Sequence, residues 1–169
     1  MHKNFFKNKS ILITGASGSI GSEIVRKLLD SKCRVIRAMS NDENGIYHLN
    51  SVIDNENKMS LQGTMKEKRI RYLIGDVRDY KRNFEACENI DIVIHAAAMK
   101  HVPICEYNSA ETHKTNVIGT KMLIKASLKQ KVKYFLFIST DKAAKPSSIM
   151  GQSKLDAETI VFKSNSKKN

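Results

Sequence analysis

The chain has 169 residues, 41% of them hydrophobic, and its 29 Lys and Arg against 17 Asp and Glu give a formal net charge of +12. This length is typical of one domain, and the hydrophobic content is enough for a folded core, so a disordered chain is excluded. With 8 Gly and 2 Pro, collagen-like and proline-rich classes are excluded too, and no apolar run approaches the ~18 residues of a membrane helix.

Apolar periodicity predicts strands and helices in alternation along the chain. Short apolar runs predict five strands, at residues 9–14, 33–39, 69–74, 90–95 and 133–138. Helical spacing predicts helices at residues 19–29, 41–59, 80–87, 105–130 and 148–162, with a polar loop at 60–68. Nearly all the strands are continuous apolar runs, which is typical of a parallel sheet covered on both faces. The expected fold is α/β, a Rossmann-type doubly wound parallel sheet of about five strands in one domain (1–162), followed by a basic polar tail (163–169).

The excess positive charge is concentrated at the two ends of the chain. Residues 1–10 and 160–169 each hold three lysines and no acid, which is half of the excess. No basic stripe with interleaved aromatic residues lies between them, so no nucleic-acid partner is expected. The apolar stretch after the basic N-terminus, residues 11–13, is too short for a signal peptide, and a cytoplasmic protein without a membrane span is expected.

A glycine-rich turn, GASGSIG, lies between the first predicted strand and the first predicted helix. The first glycine of such a turn permits its tight bend, the second lets the backbone approach a pyrophosphate, and the third lets the helix pack on the strand. The helix N-terminus adds free N–H groups and a positive dipole end. No Lys-Ser/Thr pair follows, so a nucleoside-triphosphate loop is excluded and a dinucleotide site is predicted. Its residues are Gly15, Ser17, Gly18, Ser19, Ile20 and Gly21.

The group that binds the cofactor's adenosine ribose is expected near the end of the second strand, ~20 residues beyond the loop. Ser40 is the first polar residue there, and Asp42 and Glu43 follow. An acid at this place favours the free 2′-hydroxyl of NAD, whereas Arg37, upstream, could face the 2′-phosphate of NADP. The acids can equally belong to an ordinary helix N-terminus. The sequence therefore leaves NAD and NADP open.

Two further strand ends complete the predicted cleft, because open α/β sheets bind ligands at the carboxyl ends of their strands. Asp76 and Val77 follow the third strand and can cover the adenine edge. The small residues after the fourth strand either leave room for the nicotinamide ribose or serve plain packing. They are Ala96, Ala97 and Ala98.

The cysteines and histidines predict no redox or metal chemistry. Cys33, Cys87 and Cys105 have the spacing of neither a metal pair nor a redox pair, and we expect reduced, mostly buried thiols. Together with the histidines they match no usual zinc spacing, so no metal is predicted.

Four sequence blocks resemble the extended short-chain dehydrogenase/reductase family, and within it the UDP-N-acetylglucosamine 4,6-dehydratases of bacterial polysaccharide and protein-glycan biosynthesis. They are residues 15–23 (GASGSIGSE), 75–79 (GDVRD), 96–106 (AAAMKHVPICE) with 115–120 (TNVIGT), and 139–154 (STDKAAKPSSIMGQSK). The blocks occur in order at the ends of the predicted strands and together span most of the chain. The Lys-His-Val-Pro and Ser-Thr-Asp-Lys segments are the most specific.

The resemblance implies an NAD(P)-dependent removal of water from a nucleotide sugar. The sugar C4 hydroxyl is oxidised, a base takes the C5 proton, the C6 hydroxyl leaves as water, and the hydride returns to C6, which gives a 4-keto-6-deoxy product. By resemblance, Thr140 bonds the C4 oxygen, Asp141 protonates the leaving hydroxyl, and Lys142 is the C5 base. A lysine base needs burial or a nearby cation to bring its pKa toward the working pH.

The resemblance also implies a Tyr and a Lys one helical turn apart, the Lys binding the nicotinamide ribose and the Tyr deprotonating the hydroxyl. Lys154 matches the Lys, whereas Met150 stands at the Tyr position, as in the larger, membrane-associated branch of these dehydratases. A thioether cannot relay a proton, so Asp141 is the nearest candidate for the C4 base, and Met150 can equally be apolar packing.

The remaining expectations also follow from the resemblance. Lys100, His101 and Glu106 are expected by the nicotinamide and the sugar, and Asn116 is expected to bond backbone near the fourth strand. The family continues past Lys154 with a sixth strand and a substrate domain, so a truncated or split enzyme is expected, with a nucleotide-sugar substrate, a separate C-terminal half as one option, and a homo-oligomer. The alternatives are a nucleotide-sugar 4-epimerase, which normally keeps the Tyr, and a non-catalytic dinucleotide-binding remnant.

Overall fold

The computed structural model describes residues 5–59 and 69–165, so the predicted loop at 60–68 and the last four residues lie outside the described ranges. The described strands are β1 (Ser10–Thr14), β2 (Val35–Ser40), β3 (Ile70–Ile74), β4 (Ile92–His95) and β5 (Tyr134–Phe137). The described α-helices are α1 (Ser19–Leu29), α2 (Glu43–Met59), α3 (Tyr80–Ala86), α4 (Val102–Tyr107), α5 (Ser109–His113), α6 (Thr120–Lys129) and α7 (Ile149–Asn165). A π-helical segment (Lys114–Gly119) precedes α6, and a 3-10 turn (Asp141–Ala143) follows β5.

The five strands form one parallel sheet in the order β3-β2-β1-β4-β5. The chain runs outward from β1 in one direction, then returns to add β4 and β5 on its other side. The connections from β1 and β4 therefore leave in opposite directions and open a crevice above the ends of these two central strands. This arrangement confirms the predicted Rossmann-type fold.

Two apolar cores lie on opposite faces of the sheet, because successive side chains of a strand point to opposite faces. Ile11 and Ile13 of β1 pack with Val25 of α1 and Leu49 of α2 on one face. Leu12, between them in sequence, belongs to the second core with residues of α3 and α6. The continuous apolar run of β1 is thus explained by burial on both sides, as expected for a central parallel strand.

The helix predicted over residues 105–130 is broken, and the expectation of one continuous helix is wrong. Asn108 has φ −124° and ψ 49°, outside the helical region, and separates α4 from α5. The π-helical segment then adds a residue to the turn before α6 begins at Thr120. Such segments are frequent at functional sites, and here it places Asn116 against the chain that follows β4.

β5 differs from the other strands in its exposure. Its sequence is as apolar as that of a central strand, yet Tyr134 is 49% and Leu136 is 54% exposed, because β5 lies at the edge of the described sheet. Later in the chain, α7 continues through Asn165, so the first residues of the predicted tail are helical. The three cysteines are buried and free, as predicted. Among the described residues, no helix has both the length and the apolar character to cross a membrane.

Candidate cofactor and catalytic site

The glycine-rich loop between β1 and α1 is packed too closely for side chains at two positions. Gly15 has φ +68°, and a Cβ built on it would lie 2.6 Å from the backbone nitrogen of Ala97. A Cβ on Gly21 would collide with the carbonyl oxygen of Gly15. Gly18 is less confined, since its added Cβ would lie 3.3 Å from that same oxygen. Two of the glycines are therefore required by the fold itself, and Gly18 stands on the open side of the loop.

The first turn of α1 opens toward the crevice. Gly18 precedes the helix in an extended conformation and provides no side-chain cap. The backbone N–H groups at this end of an 11-residue helix therefore have no capping side chain, and they carry the positive end of the helix dipole. An anionic group such as a pyrophosphate fits this arrangement.

One cleft at the carboxyl edge of the sheet brings the predicted cofactor residues together. Its lining includes every predicted cofactor residue except Lys154: Gly15, Ser17, Gly18, Ser19, Ile20, Gly21, Ser40, Asp42, Asp76, Val77, Ala96, Ala97, Ala98 and Lys100. Met39, Asn41, Gly75 and Thr115 also line it. Met39 was recognisable only as a strand-end residue, and Gly75 and Thr115 only as parts of the GDVRD and TNVIGT blocks.

At the end of β2, short side chains form the wall where the adenosine ribose is predicted. The Ser17 and Ser40 hydroxyls lie 2.8 Å apart and share a hydrogen bond. The Ser40 hydroxyl also accepts from the Asp42 backbone N–H at 3.2 Å. The Asp42 carboxylate accepts from the Gly45 backbone N–H at 2.9 Å, which is a helix N-cap contact. Asp42 therefore both caps α2 and lines the cleft.

Arg37 does not lie at this wall, and the structure contradicts the alternative that places it there. Its guanidinium donates to the backbone carbonyls of Glu85, Ala86 and Glu88, at 3.3, 2.8 and 2.7 Å. These carbonyls are at the C-terminal end of α3, where a cation is favourable. Arg37 is in the middle of β2, and the strand's alternation directs its side chain toward α3 rather than toward the cleft.

At the end of β3, Asp76 is held in place by Arg78. The Arg78 guanidinium donates to both carboxylate oxygens of Asp76 at 2.6 to 3.0 Å and also pairs with Glu111 at 2.7 Å. The hydrogen bonds from Arg78 lower the pKa of Asp76 below its usual range, so this carboxylate is ionised at neutral pH. Behind it, the Asn83 amide donates to the Val77 carbonyl at 2.6 Å. The side of the cleft where adenine is predicted therefore has an oriented acid.

The Ser-Thr-Asp-Lys segment begins beside the Ala96–Ala98 wall, because the Ile138 backbone N–H donates to the His95 carbonyl at 3.0 Å. The Thr140 hydroxyl donates to the Asp141 carboxylate at 2.9 Å, and the Lys142 ammonium lies 3.4 Å from the same oxygen. The Thr140 hydroxyl and the Lys142 charge lower the pKa of Asp141. The Asp141 and Lys142 side chains are 87% and 55% exposed and do not line the cleft.

Met150 and Lys154 lie one turn apart on α7, and both are buried. The Lys154 ammonium donates to the Ile138 carbonyl at 2.8 Å and lies 4.6 Å from the centre of the Phe137 ring. Burial lowers the pKa of Lys154 to about 8. Lys154 therefore sits under the start of the Ser-Thr-Asp-Lys segment rather than in the cleft.

The other residues implied by the resemblance occupy distinct places. The Glu106 carboxylate accepts from the Ile149 backbone N–H at 2.8 Å, which holds the first turn of α7. His101 precedes α4, is exposed and makes no capping bond with its side chain. Asn116 accepts from the Met99 N–H at 2.8 Å and donates to the Met99 carbonyl at 3.0 Å, which confirms the predicted bond to backbone near β4. Within the described ranges, no three His, Cys, Asp or Glu side chains are grouped to hold a metal ion.

Comparison with known proteins gives a family match over nearly the whole chain. A model of the family described as "Polysaccharide biosynthesis protein" matches residues 11–169. An inverting UDP-N-acetylglucosamine 4,6-dehydratase of Campylobacter jejuni is 40% identical over 95% of this chain and 45% of its own. A UDP-glucose 4-epimerase of Rickettsia canadensis is 35% identical over 93% of this chain and 44% of its own. The chain thus spans less than half the length of these relatives.

Solved structures show the same partial coverage. The protein Pen of Bacillus thuringiensis matches with a TM-score of 0.86 and 41% identity, over 97% of this chain and 47% of its own. A dTDP-glucose 4,6-dehydratase variant of Streptomyces venezuelae, solved with NAD bound, matches with a TM-score of 0.82 over 94% of this chain and 52% of its own. At 22% identity, the second likeness shows the fold alone.

Proposed function

The chain belongs to the polysaccharide biosynthesis protein family, and from that premise we propose that it is the cofactor-binding and catalytic part of a nucleotide-sugar 4,6-dehydratase with a UDP-N-acetylglucosamine-like substrate. The observation that carries the proposal is the position of the Ser-Thr-Asp-Lys segment. It leaves β5 directly beside the Ala96–Ala98 wall of the glycine-loop cleft. A sugar placed over that wall would therefore be within reach of both a cofactor and the Thr140 to Lys142 side chains.

The cleft suits a nicotinamide dinucleotide, NAD or NADP. The uncapped N-terminus of α1 suits the pyrophosphate, and the Ser17, Ser40 and Asp42 wall suits the adenosine ribose. When bound, the cofactor supplies hydride acceptance and return. Lys100 lines the cleft, and Lys154 is proposed to bind the nicotinamide ribose once the ligand is present.

Asp141 begins as a carboxylate, because its pKa is lowered by the Thr140 hydroxyl and by Lys142. In that form it can take the proton of the C4 hydroxyl that Thr140 orients. The protonated Asp141 can then give the same proton to the C6 hydroxyl as it leaves as water. One carboxyl group therefore serves as base and then as acid, which leaves no task for a Tyr at position 150. Lys142, which is 55% exposed and pairs with Asp141 in the free chain, is proposed as the base that takes the C5 proton once the substrate buries it. The protonated Lys142 then returns the proton to C5 when the hydride is delivered to C6, which completes the 4-keto-6-deoxy product.

A methionine at position 150 is consistent with this assignment, in which Asp141 carries out both proton transfers. Its thioether is 4% exposed, and its backbone carbonyl accepts from Ser153 at 2.7 Å. The side chain packs apolar surface where a proton-relaying Tyr would stand in an epimerase. The nucleotide end of the substrate is proposed to bind the part of the enzyme that lies beyond the matched half of the relatives, in the same or a separate chain, within a homo-oligomer.

The test is a complementation assay. The 169-residue chain is incubated with UDP-N-acetylglucosamine and NAD+ or NADP+, with and without a polypeptide equivalent to the unmatched half of the Campylobacter jejuni dehydratase. We expect a 4-keto-6-deoxy product only in the complemented reaction. A 4-epimer as product would support the epimerase alternative, and dinucleotide binding without turnover in both reactions would overturn the proposal in favour of a non-catalytic role.

A further inference from the structure

His95, the last residue of β4, is a fully buried polar side chain on the same face of the sheet as Val93 of the second core. Its ring lies 6.1 Å from that of Phe135 and 5.6 Å from that of Phe137. Burial, with a smaller contribution from the Lys154 charge, lowers the pKa of His95 to about 3. The imidazole is therefore neutral at any working pH and has one N–H donor and one acceptor nitrogen.

The hydrogen bonds around His95 determine which nitrogen carries the proton. The Thr120 hydroxyl donates to the Asn116 carbonyl at 2.6 Å, and a carbonyl can only accept. Thr120 has a single hydroxyl proton, so in its 2.9 Å contact with His95 Nε2 it must accept. Nε2 therefore carries the hydrogen, and Nδ1 accepts from the Thr14 hydroxyl at 2.7 Å. Thr14 immediately precedes Gly15 of the cofactor loop.

The same set of bonds continues through Asn116 to α7. The Asn116 amide holds both backbone groups of Met99 and donates to the Ser153 hydroxyl at 2.8 Å. The Ser153 hydroxyl in turn donates to the Met150 carbonyl at 2.7 Å. Two buried runs of directed hydrogen bonds, one from Thr14 to the Asn116 carbonyl and one from the Asn116 amide to the Met150 carbonyl, thus meet at Asn116 and join the end of β1 to α7. The hydrogen bonds meet in the π-helical segment, where the Asn116 carbonyl accepts from the Thr120 hydroxyl.

A second contact joins His95 to the same helix. The Phe137 ring neighbours both groups: its centre lies 5.6 Å from the His95 ring centre and 4.6 Å from the Lys154 ammonium. Lys154 is otherwise surrounded by the Ile138 carbonyl and, on its own helix, by the charge of Glu158. The place of Lys154 therefore depends on α7 keeping this side chain against Phe137 and Ile138 at the end of β5.

We propose that His95 is a positioning residue: through its Nε2–H bond to Thr120 it fixes the π-helical segment, and through Asn116 and Ser153 it holds α7 so that Lys154 stays buried at its working place. The consequence for catalysis rests on the proposed function, whereas the seating of α7 does not. If the bond to Thr120 is lost, α7 loosens and the Lys154 amine reaches water. The bond from Thr14 to His95 contributes less to the position of α7, because Thr14 adjoins the cofactor loop and not α7.

The variants separate the two ring nitrogens. In His95→Gln the amide reaches the place of Nε2 and can still donate to Thr120, whereas in His95→Asn it reaches only the place of Nδ1. We expect long-range nitrogen NMR to show Nε2–H in the parent chain, unchanged from pH 5 to 8. We also expect the Lys154 pKa, followed on its side-chain methylene signals, to stay near 8 in the Gln variant and rise by at least one unit in the Asn variant. An Nδ1–H ring, or equal Lys154 values in the two variants, overturns the proposal.

A second pair protects the test against a His95 variant that does not fold. Thr120→Ser keeps the hydroxyl and is expected to keep the Lys154 pKa near 8, whereas Thr120→Val is expected to raise it as His95→Asn does. If Thr120→Val leaves the value unchanged, the proposal is wrong. Titration with NAD+ and NADP+ tests the proposed function separately. If the chain binds neither cofactor but shows the Nε2–H tautomer and the Lys154 pKa shifts, the positioning role stands and the dehydratase proposal is wrong.

Discussion

The cofactor cleft and the Thr140–Lys142 segment are built in opposite ways. The cleft is formed by backbone packed so closely that Gly15 and Gly21 have no room for a Cβ. The three side chains of the segment are held mainly by bonds to one another, and Asp141 is largely exposed. The walls of the cleft are thus rigid backbone, whereas the side chains proposed for chemistry are exposed. Substitutions should therefore damage folding in the first region and only turnover in the second.

The largest effect is expected at Gly21. In Gly21→Ala the new Cβ would collide with the Gly15 carbonyl oxygen, so we expect the free energy of unfolding to fall by about 3 kcal/mol and dinucleotide binding to be lost. Gly18→Ala is the matched control: its Cβ has a 3.3 Å contact, and stability should change by less than about 1 kcal/mol. Urea unfolding and dinucleotide titration measure both. Equal losses of stability in the two variants would show that the close packing is not the cause.

The reverse pattern is expected for Asp141→Asn in the complemented enzyme. Turnover should fall about 10²- to 10⁴-fold, because the amide can neither take nor give the proton. Stability should stay within about 0.5 kcal/mol, as is usual for exposed positions. Asp30→Asn, at the far end of α1, is the control and should leave turnover unchanged. A stability loss in Asp141→Asn as large as that of Gly21→Ala would remove the contrast between the regions.

Substitution of Lys154 is expected to raise the stability of the chain and to abolish turnover. Its folded pKa of about 8 lies below the usual ~10.4 of an unfolded chain. The charged form is therefore unfavourable in the native state, and Lys154 costs stability below pH 8, with relief as the pH rises toward 10.4. Lys154→Met should raise the free energy of unfolding at pH 7 by about 2 kcal/mol while turnover is lost.

Urea unfolding at pH 7 and pH 10 measures this effect, with the exposed Lys163→Met as the control on the same helix. The advantage of Lys154→Met should shrink at the higher pH. If it is the same at both, the buried ammonium is not the source of the gain.

The smallest effect is expected at Arg37. Arg37→Met removes the bonds to three carbonyls at the end of α3, and the unfolding free energy should fall by about 1 kcal/mol. The ratio of NAD+ to NADP+ affinity should not change, because the guanidinium lies away from the ribose wall. Competitive titration of the two cofactors measures the ratio. A selective loss of NADP+ binding would show that Arg37 contributes to the cofactor site.

Local chemistry was enough to predict the order of elements and the cleft. Each strand and most helices were recognisable from apolar spacing within a few residues of their bounds. The glycine turn, Asp76 and the three alanines then fell at strand ends, because parallel strands bring those ends to one edge. The break at Asn108 and the π-helical segment were missed, because residues 108–116 are almost entirely polar and have no apolar spacing that could locate either feature.

The sequence by itself therefore determined the parallel α/β fold, the glycine loop and the identity of the Ser-Thr-Asp-Lys segment, because each depends on neighbouring residues. Only the tertiary structure decided that Arg37 faces α3, that β5 is half exposed, and that His95 is neutral with its proton on Nε2. Thr14 and His95 are 81 residues apart in sequence, and the Lys154 ammonium contacts Phe137 and Ile138 at the end of β5. Burial and hydrogen-bond direction arise from contacts between distant segments, and no local pattern encodes them.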